Sequence, residues 1–106
     1  MQPLCLLQVA VVEAKELGGT CVNVGCVPKK IMWNAATLHE MVHEAKHLGT
    51  TVGKIDFDWT GLVKAREDYI DKLNGIYAKN LGNSGVEIIT GVRMSSVLRS
   101  HKCNGM

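Results

Sequence analysis

The sequence predicts an α/β fold with parallel strands and an antiparallel helical hairpin, and three observations carry that reading. Gln8 to Ala14 is an apolar run, rich in valine, with a single Glu inside it. Two long stretches, Pro28 to Leu48 and Trp59 to Leu81, carry apolar residues at alternating three- and four-residue spacing. A second short β-branched run, Val86 to Gly91, follows the second helix.

Gln8-Val-Ala-Val-Val-Glu-Ala14 reads as a strand buried on both faces of a parallel sheet, because such strands show near-continuous apolar runs instead of alternation. The acidic residue Glu13 closes it. In a dinucleotide-binding unit a carboxylate at the end of the second strand accepts from ribose hydroxyls. Spacing alone favours a solvated strand-end carboxylate. The Gly-x-Gly-x-x-Gly turn that should precede such a strand and hold a pyrophosphate is not found in the twelve residues before Glu13.

Next comes Leu17-Gly-Gly-Thr-Cys21-Val-Asn-Val-Gly-Cys26-Val-Pro28-Lys-Lys30. Pro28 suits the first helical position, where a missing N–H has no intrahelical partner. Cys26 then lies at the positive end of the helix dipole beside Lys29 and Lys30. Both effects favour thiolate over thiol, which disulfide exchange requires. The spacing alone leaves a structural cysteine pair or half a metal site open. A zinc site would need about two further ligands, and no second Cys pair or close Cys-His partner is present.

The helix from Pro28 to Leu48 places Ile31, Ala35, Leu38, Val42, Ala45 and Leu48 on one stripe, and Gly49 ends it. His39, His43 and His47 share another face with Glu40 and Glu44 nearby. A metal site can be written from these residues, but a solvated polar face is the better account and no metal is assigned. Thr50 to Phe57 reads as a loop and Asp58 as an N-cap. The second helix carries Trp59, Leu62, Val63, Tyr69, Ile70, Leu73, Ile76, Tyr77 and Leu81, with Gly82 as its stop. It should pack antiparallel to the first as a hairpin beside the sheet. Asn83-Ser84-Gly85 then turns the chain into the last strand.

A chain of 106 residues makes one domain at most, with a small margin of stability. Hydrophobic content of 46% and charged content of 21% are ordinary for a soluble globular protein. The net charge of +2 comes from basic residues scattered among acids, which gives no case for nucleic acid. Residues Met1 to Val12 lack a basic leader and are too short and interrupted to span a bilayer, so neither a signal peptide nor a membrane anchor is expected. Four cysteines without a secretory signal favour a reducing compartment and a cytoplasmic setting, extended to mitochondria for longer forms.

The string Gly18-Gly-Thr-Cys-Val-Asn-Val-Gly-Cys-Val-Pro-Lys-Lys30 closely resembles the redox-active disulfide of the flavin-dependent disulfide oxidoreductases. Its continuation, Ile31-Met-Trp-Asn34, looks most like the glutathione reductases, as does Arg66-Glu-Asp-Tyr-Ile-Asp-Lys-Leu-Asn-Gly-Ile-Tyr77. The resemblance covers residues 9–91; residues 1–8 and 92–106 match nothing in the family, and Cys5 and Cys103 therefore stand outside the redox pair. It implies an incomplete FAD-binding Rossmann-like domain. It further implies NADPH- and FAD-dependent reduction of glutathione disulfide by a homodimer.

Carried over residue by residue, Cys21 would be the interchange thiol and Cys26 the charge-transfer thiol. Glu13, Gly19, Thr20, Cys21 and Lys29 would contact FAD, with Lys29 against the flavin ring and NADPH as electron donor. Tyr77 would contact glutathione, and Tyr69 would be its partner or a packing residue. The family's general acid is a histidine of the other subunit, so none of His39, His43, His47 or His101 takes that role. Two alternatives stand beside this reading. One is a truncated or spliced fragment without independent catalysis, which leaves open whether the chain alone is an enzyme. The other is a thioredoxin- or trypanothione-type reductase, against which Trp33-Asn34 and the Tyr69/Tyr77 spacing favour glutathione.

Overall fold

The computed structural model describes residues 8–92. The expectations placed on Cys5, His101, Cys103 and the two ends of the chain lie outside them. Within this span the order is strand β1 (Ala10–Glu13), helix α1 (Gly19–Val24), helix α2 (Cys26–Glu44) continued by a 3₁₀ turn (Ala45–Leu48), helix α3 (Trp59–Asn83) and strand β2 (Glu87–Thr90).

The two strands pair in parallel, with Ala10 opposite Glu87 and Glu13 opposite Thr90. Glu87 N–H donates to Val9 O at 3.1 Å and Gly91 N–H to Glu13 O at 2.9 Å, so the ladder extends one bond beyond each end. The sequence reading of β1 as buried on both faces does not hold for the described residues. Ala10 and Val12 are exposed and Val11 and Glu13 half-buried, because β2 supplies the single neighbouring strand described and covers an edge but no face.

Helix α2 starts at Cys26, two residues before the expected start, with Lys29 N–H donating to Gly25 O at 3.1 Å as its first backbone bond. Pro28 is thus the third helical residue. It still costs nothing there, since the first turn's N–H groups have no intrahelical acceptor. Both long helices end alike. Thr50 N–H bonds to Ala45 O and Val86 N–H to Leu81 O, each at 3.0 Å, around Gly49 (φ +77°) and Gly85 (φ +69°). These are left-handed glycine stops of the Schellman type. Gly82, expected to close α3, lies inside it. Asp58 is the N-cap residue of α3 as expected, although its side chain makes no capping hydrogen bond.

The helices form the expected antiparallel hairpin. Pro28, near the start of α2, shares a groove with Arg66, Glu67 and Ile70, whereas Ala35, Ala36 and His39 further along line a cleft with Phe57, Trp59 and Leu62. Phe57 lies edge-on to His39 at 6.1 Å between ring centroids and 6.2 Å from Trp59, closing the loop end of the hairpin. Of the α2 stripe, Ile31, Ala35, Val42 and Ala45 are half-buried, while Leu38 and Leu48 face outward. Val22 of α1 is the one fully buried apolar side chain among the described residues.

Candidate functional site

The site is built where three helices meet. Cys21 sits in α1 and Cys26 is the first residue of α2, separated by the junction residue Gly25. A Cβ on Gly25 would come 2.9 Å from Thr20 O and 3.0 Å from Cys21 Cα. Glycine therefore lets the start of α2 press directly on the backbone that carries Cys21. Gly18, at φ +105°, opens α1 in the same way: a Cβ there would lie 2.8 Å from Val22 Cβ.

Cys21 and Cys26 are both free thiols and both exposed. The Cys21 side chain is the main influence on the ionisation of Cys26. The Cys26 thiol is pushed above its ordinary range, first by its hydrogen bond to Cys21, then by the Cys21 charge and by desolvation. Its own backbone N–H and the Lys29 ammonium pull the other way and lose. The sequence reading, in which the helix start and the lysines make Cys26 the readier thiolate, is thus corrected. A neighbouring ionisable sulfur outweighs a dipole and a solvated cation.

Lys29, one turn into α2, lines an open concavity with Cys26, Val24, Gly25, Lys30 and Trp33. Gly19 and Thr20 are the first two residues of α1, and Gly19 has open space where a Cβ would point. Glu13 stands at the C-terminal end of β1, where its Oε1 accepts from Lys15 N–H at 3.0 Å. Tyr69 and Tyr77 lie on α3, exposed by 47% and 41%. Neither lines the concavity at Cys26. The His39 and His43 Nε2 atoms are 3.2 Å apart, a ring-to-ring hydrogen bond one turn apart along α2, with His39 also lining the cleft with Phe57 and Trp59. Among the described residues no group of three His, Cys, Asp or Glu side chains could hold a metal ion. None of the described helices is long and apolar enough to cross a membrane.

One pair of residues escaped the sequence reading. Asn74 of α3 reaches across to α1, with Nδ2 donating to Leu17 O at 2.5 Å and to Asn23 Oδ1 at 3.0 Å. Asn23 in turn donates to Gly19 O at 2.9 Å and, more weakly, to Leu17 O and Glu16 O at 3.3 and 3.4 Å. Nothing in the spacing links these two asparagines, which are far apart in the chain.

No family model matches the chain. It is similar to three curated proteins named glutathione reductase. That of Yarrowia lipolytica is 49% identical over 86 residues, 76% of this chain and 18% of the relative. That of Debaryomyces hansenii is 50% identical over 91 residues, 79% and 19% respectively, and that of Schizosaccharomyces pombe 49% over 86 residues, 79% and 18%. The chain thus spans about a fifth of the length of these relatives. With half of its aligned residues shared, this chain is similar to one segment of the glutathione reductases, and that segment carries its pair of free thiols at the junction of two helices.

Proposed function

We propose that the chain carries the dithiol–disulfide centre of a glutathione-disulfide reductase. The observation that carries this reading is a pair of exposed free thiols at the junction of α1 and α2, with Cys26 sharing its concavity with Lys29. In the exchange half-reaction, the Cys21 thiolate attacks one sulfur of glutathione disulfide. A mixed disulfide forms and one glutathione thiolate leaves. Cys26 then gives up its proton and attacks Cys21 Sγ, closing the Cys21–Cys26 bond and expelling the second glutathione thiolate. Two electrons pass from the protein to glutathione, and each expelled thiolate gains one proton. The raised proton affinity of Cys26 leaves the first attack to Cys21, the role assigned to it.

The residues present fit a dinucleotide flavin. The Glu13 carboxylate spends one oxygen on Lys15 and keeps acceptor capacity for ribose hydroxyls at the end of a parallel strand. Open space at Gly19 leaves room for a ligand at the first turn of α1, which Thr20 also belongs to. Lys29 would hold positive charge against the ring, on the concavity it shares with Cys26. FAD, when bound, supplies the two-electron chemistry that returns the disulfide to dithiol at the expense of NADPH. Tyr77, with Tyr69 about two turns earlier on α3, would receive glutathione, and the complete assembly would be a homodimer in the cytoplasm.

A second reading is that this polypeptide turns nothing over by itself. It rests on the apolar side chains left outward, among them Trp33, Leu38, Met41 and Trp59 at 56–64% exposure. One experiment separates the two: titrate the purified chain with FAD, then assay NADPH-dependent reduction of glutathione disulfide. Flavin uptake with turnover supports independent catalysis. A Cys21–Cys26 disulfide that exchanges with glutathione, without flavin or turnover, supports the second reading. Failure of the two cysteines to pair at any glutathione ratio would overturn both.

A further inference from the structure

Cys21 and Cys26 ride on different helices, and the structure ties those helices together through a third. Helix α2 packs along α3 as a hairpin, which fixes Cys26. Helix α1 has only six residues and cannot hold its own position. What attaches it to α3 is the amide pair Asn23–Asn74. Asn74 has two N–H donors, and both are used, on Leu17 O and on Asn23 Oδ1. Asn23 spends one N–H on Gly19 O and shares the other between Leu17 O and Glu16 O. Leu17 O accepts from both asparagines. Each amide hydrogen thus has an acceptor, and the turn that enters α1 is held at both its ends. Both side chains are partly buried, so water competes poorly for these bonds.

We propose that Asn74 and Asn23 are positioning residues for the redox pair: by gripping the Glu16–Gly19 turn they hold α1 against α3 and keep Cys21 beside the start of α2 that carries Cys26. The inference rests on the reading of Cys21 and Cys26 as an exchanging dithiol. Ring closure between two thiols is governed by their effective concentration, which falls when one of the carriers is loosened. Asn74 touches neither sulfur. It acts through the backbone of α1.

The test uses the full chain equilibrated with mixtures of glutathione and glutathione disulfide, with the Cys21–Cys26 disulfide quantified after acid quench. The reaction consumes one glutathione disulfide and releases two glutathione molecules per protein disulfide formed. Asn74→Leu keeps the volume and removes both donors, and Asn74→Asp keeps the shape but turns a carboxylate toward Leu17 O. Both should lower the equilibrium constant for disulfide formation about tenfold, equivalent to roughly 30 mV in potential. Asn80→Ala, elsewhere on α3, should leave it unchanged. Helix content by circular dichroism identifies variants that remain folded; should N74L unfold, N74D and the matching Asn23→Asp carry the test.

A merely structural role predicts a lower unfolding midpoint with an unaltered glutathione equilibrium. That result, in folded N74L or N74D, overturns the proposal while leaving the dithiol reading intact. A wild-type chain that forms no Cys21–Cys26 disulfide overturns the dithiol reading and the positioning role with it.

Discussion

Gly25→Ala puts a single methyl group at the junction between the two cysteine-bearing helices. The added Cβ would meet Thr20 O at 2.9 Å and Cys21 Cα at 3.0 Å, and both contacts are backbone. No side chain can swing aside, so α1 and the start of α2 must separate by some tenths of an ångström. Overpacking of this kind costs about 1–3 kcal/mol. Replacing glycine also reduces the freedom of the unfolded chain, which returns about 0.4–1 kcal/mol. The net expectation is a loss of about 1–2 kcal/mol, read as a lower urea midpoint with unchanged slope. The same displacement moves Cys21 away from Cys26, so disulfide formation against glutathione should weaken in parallel. A G25A chain as stable as wild type and equally ready to form the disulfide would refute the reasoning, since it would mean that α1 and α2 do not press together at this residue.

Gly75→Ala makes the opposite case: this glycine lies inside α3 with nothing within 4 Å of a built Cβ, so the change should stabilise by about 0.5–1 kcal/mol, measured by the same denaturation. Cys21→Ser removes the Cys21 charge, one of the causes that raise Cys26, so thiolate absorbance at 240 nm should show Cys26 ionising at lower pH than in wild type; an unchanged or higher midpoint would break the assigned cause. The sign for stability follows from proton binding. The folded chain keeps a proton on Cys26 that the unfolded chain releases near the ordinary thiol value, so this contribution is full below that value and is lost as pH rises through the higher folded one. Wild-type thermal midpoints should therefore decline above about pH 8.5 more than those of C21S.

The helices and strands were legible because their signals are local. Three- and four-residue apolar spacing marked α2 and α3, and the β-branched runs marked β1 and β2 to within a few residues. The errors arose where two residues offered the same signal. Gly82 read as the stop and Gly85 as part of the following turn, whereas the stop at Gly85 depends on the Schellman bonds that Leu81 and Gly82 carbonyls complete. Pro28 is compatible with any first-turn position, so it could not tell the first from the third. Helix α1 was too short to show a period. The redox pair was legible as a string, but its electrostatics was not: the influence of one thiol on the other is a tertiary fact, whereas the dipole and the lysines are visible in the sequence. The Asn23–Asn74 clamp lay beyond reach for the same reason, since it joins residues whose proximity only the docking of α3 creates.

The parallel ladder that joins β1 to β2 has a consequence for how the chain folds. Ala10 meets Glu87 only after about eighty intervening residues have been brought into a closed loop. For a flexible chain that closure costs on the order of 4 kcal/mol before any strand bond forms. Four residues of pairing on each side offer little to offset it. The hairpin of α2 and α3, whose partners are close in sequence, must assemble first and shorten the loop. Strand pairing then comes as the last step of folding and the first to be undone. Amide hydrogens in β1 and β2 should exchange with solvent through this partial opening, well ahead of those in the middle of α3.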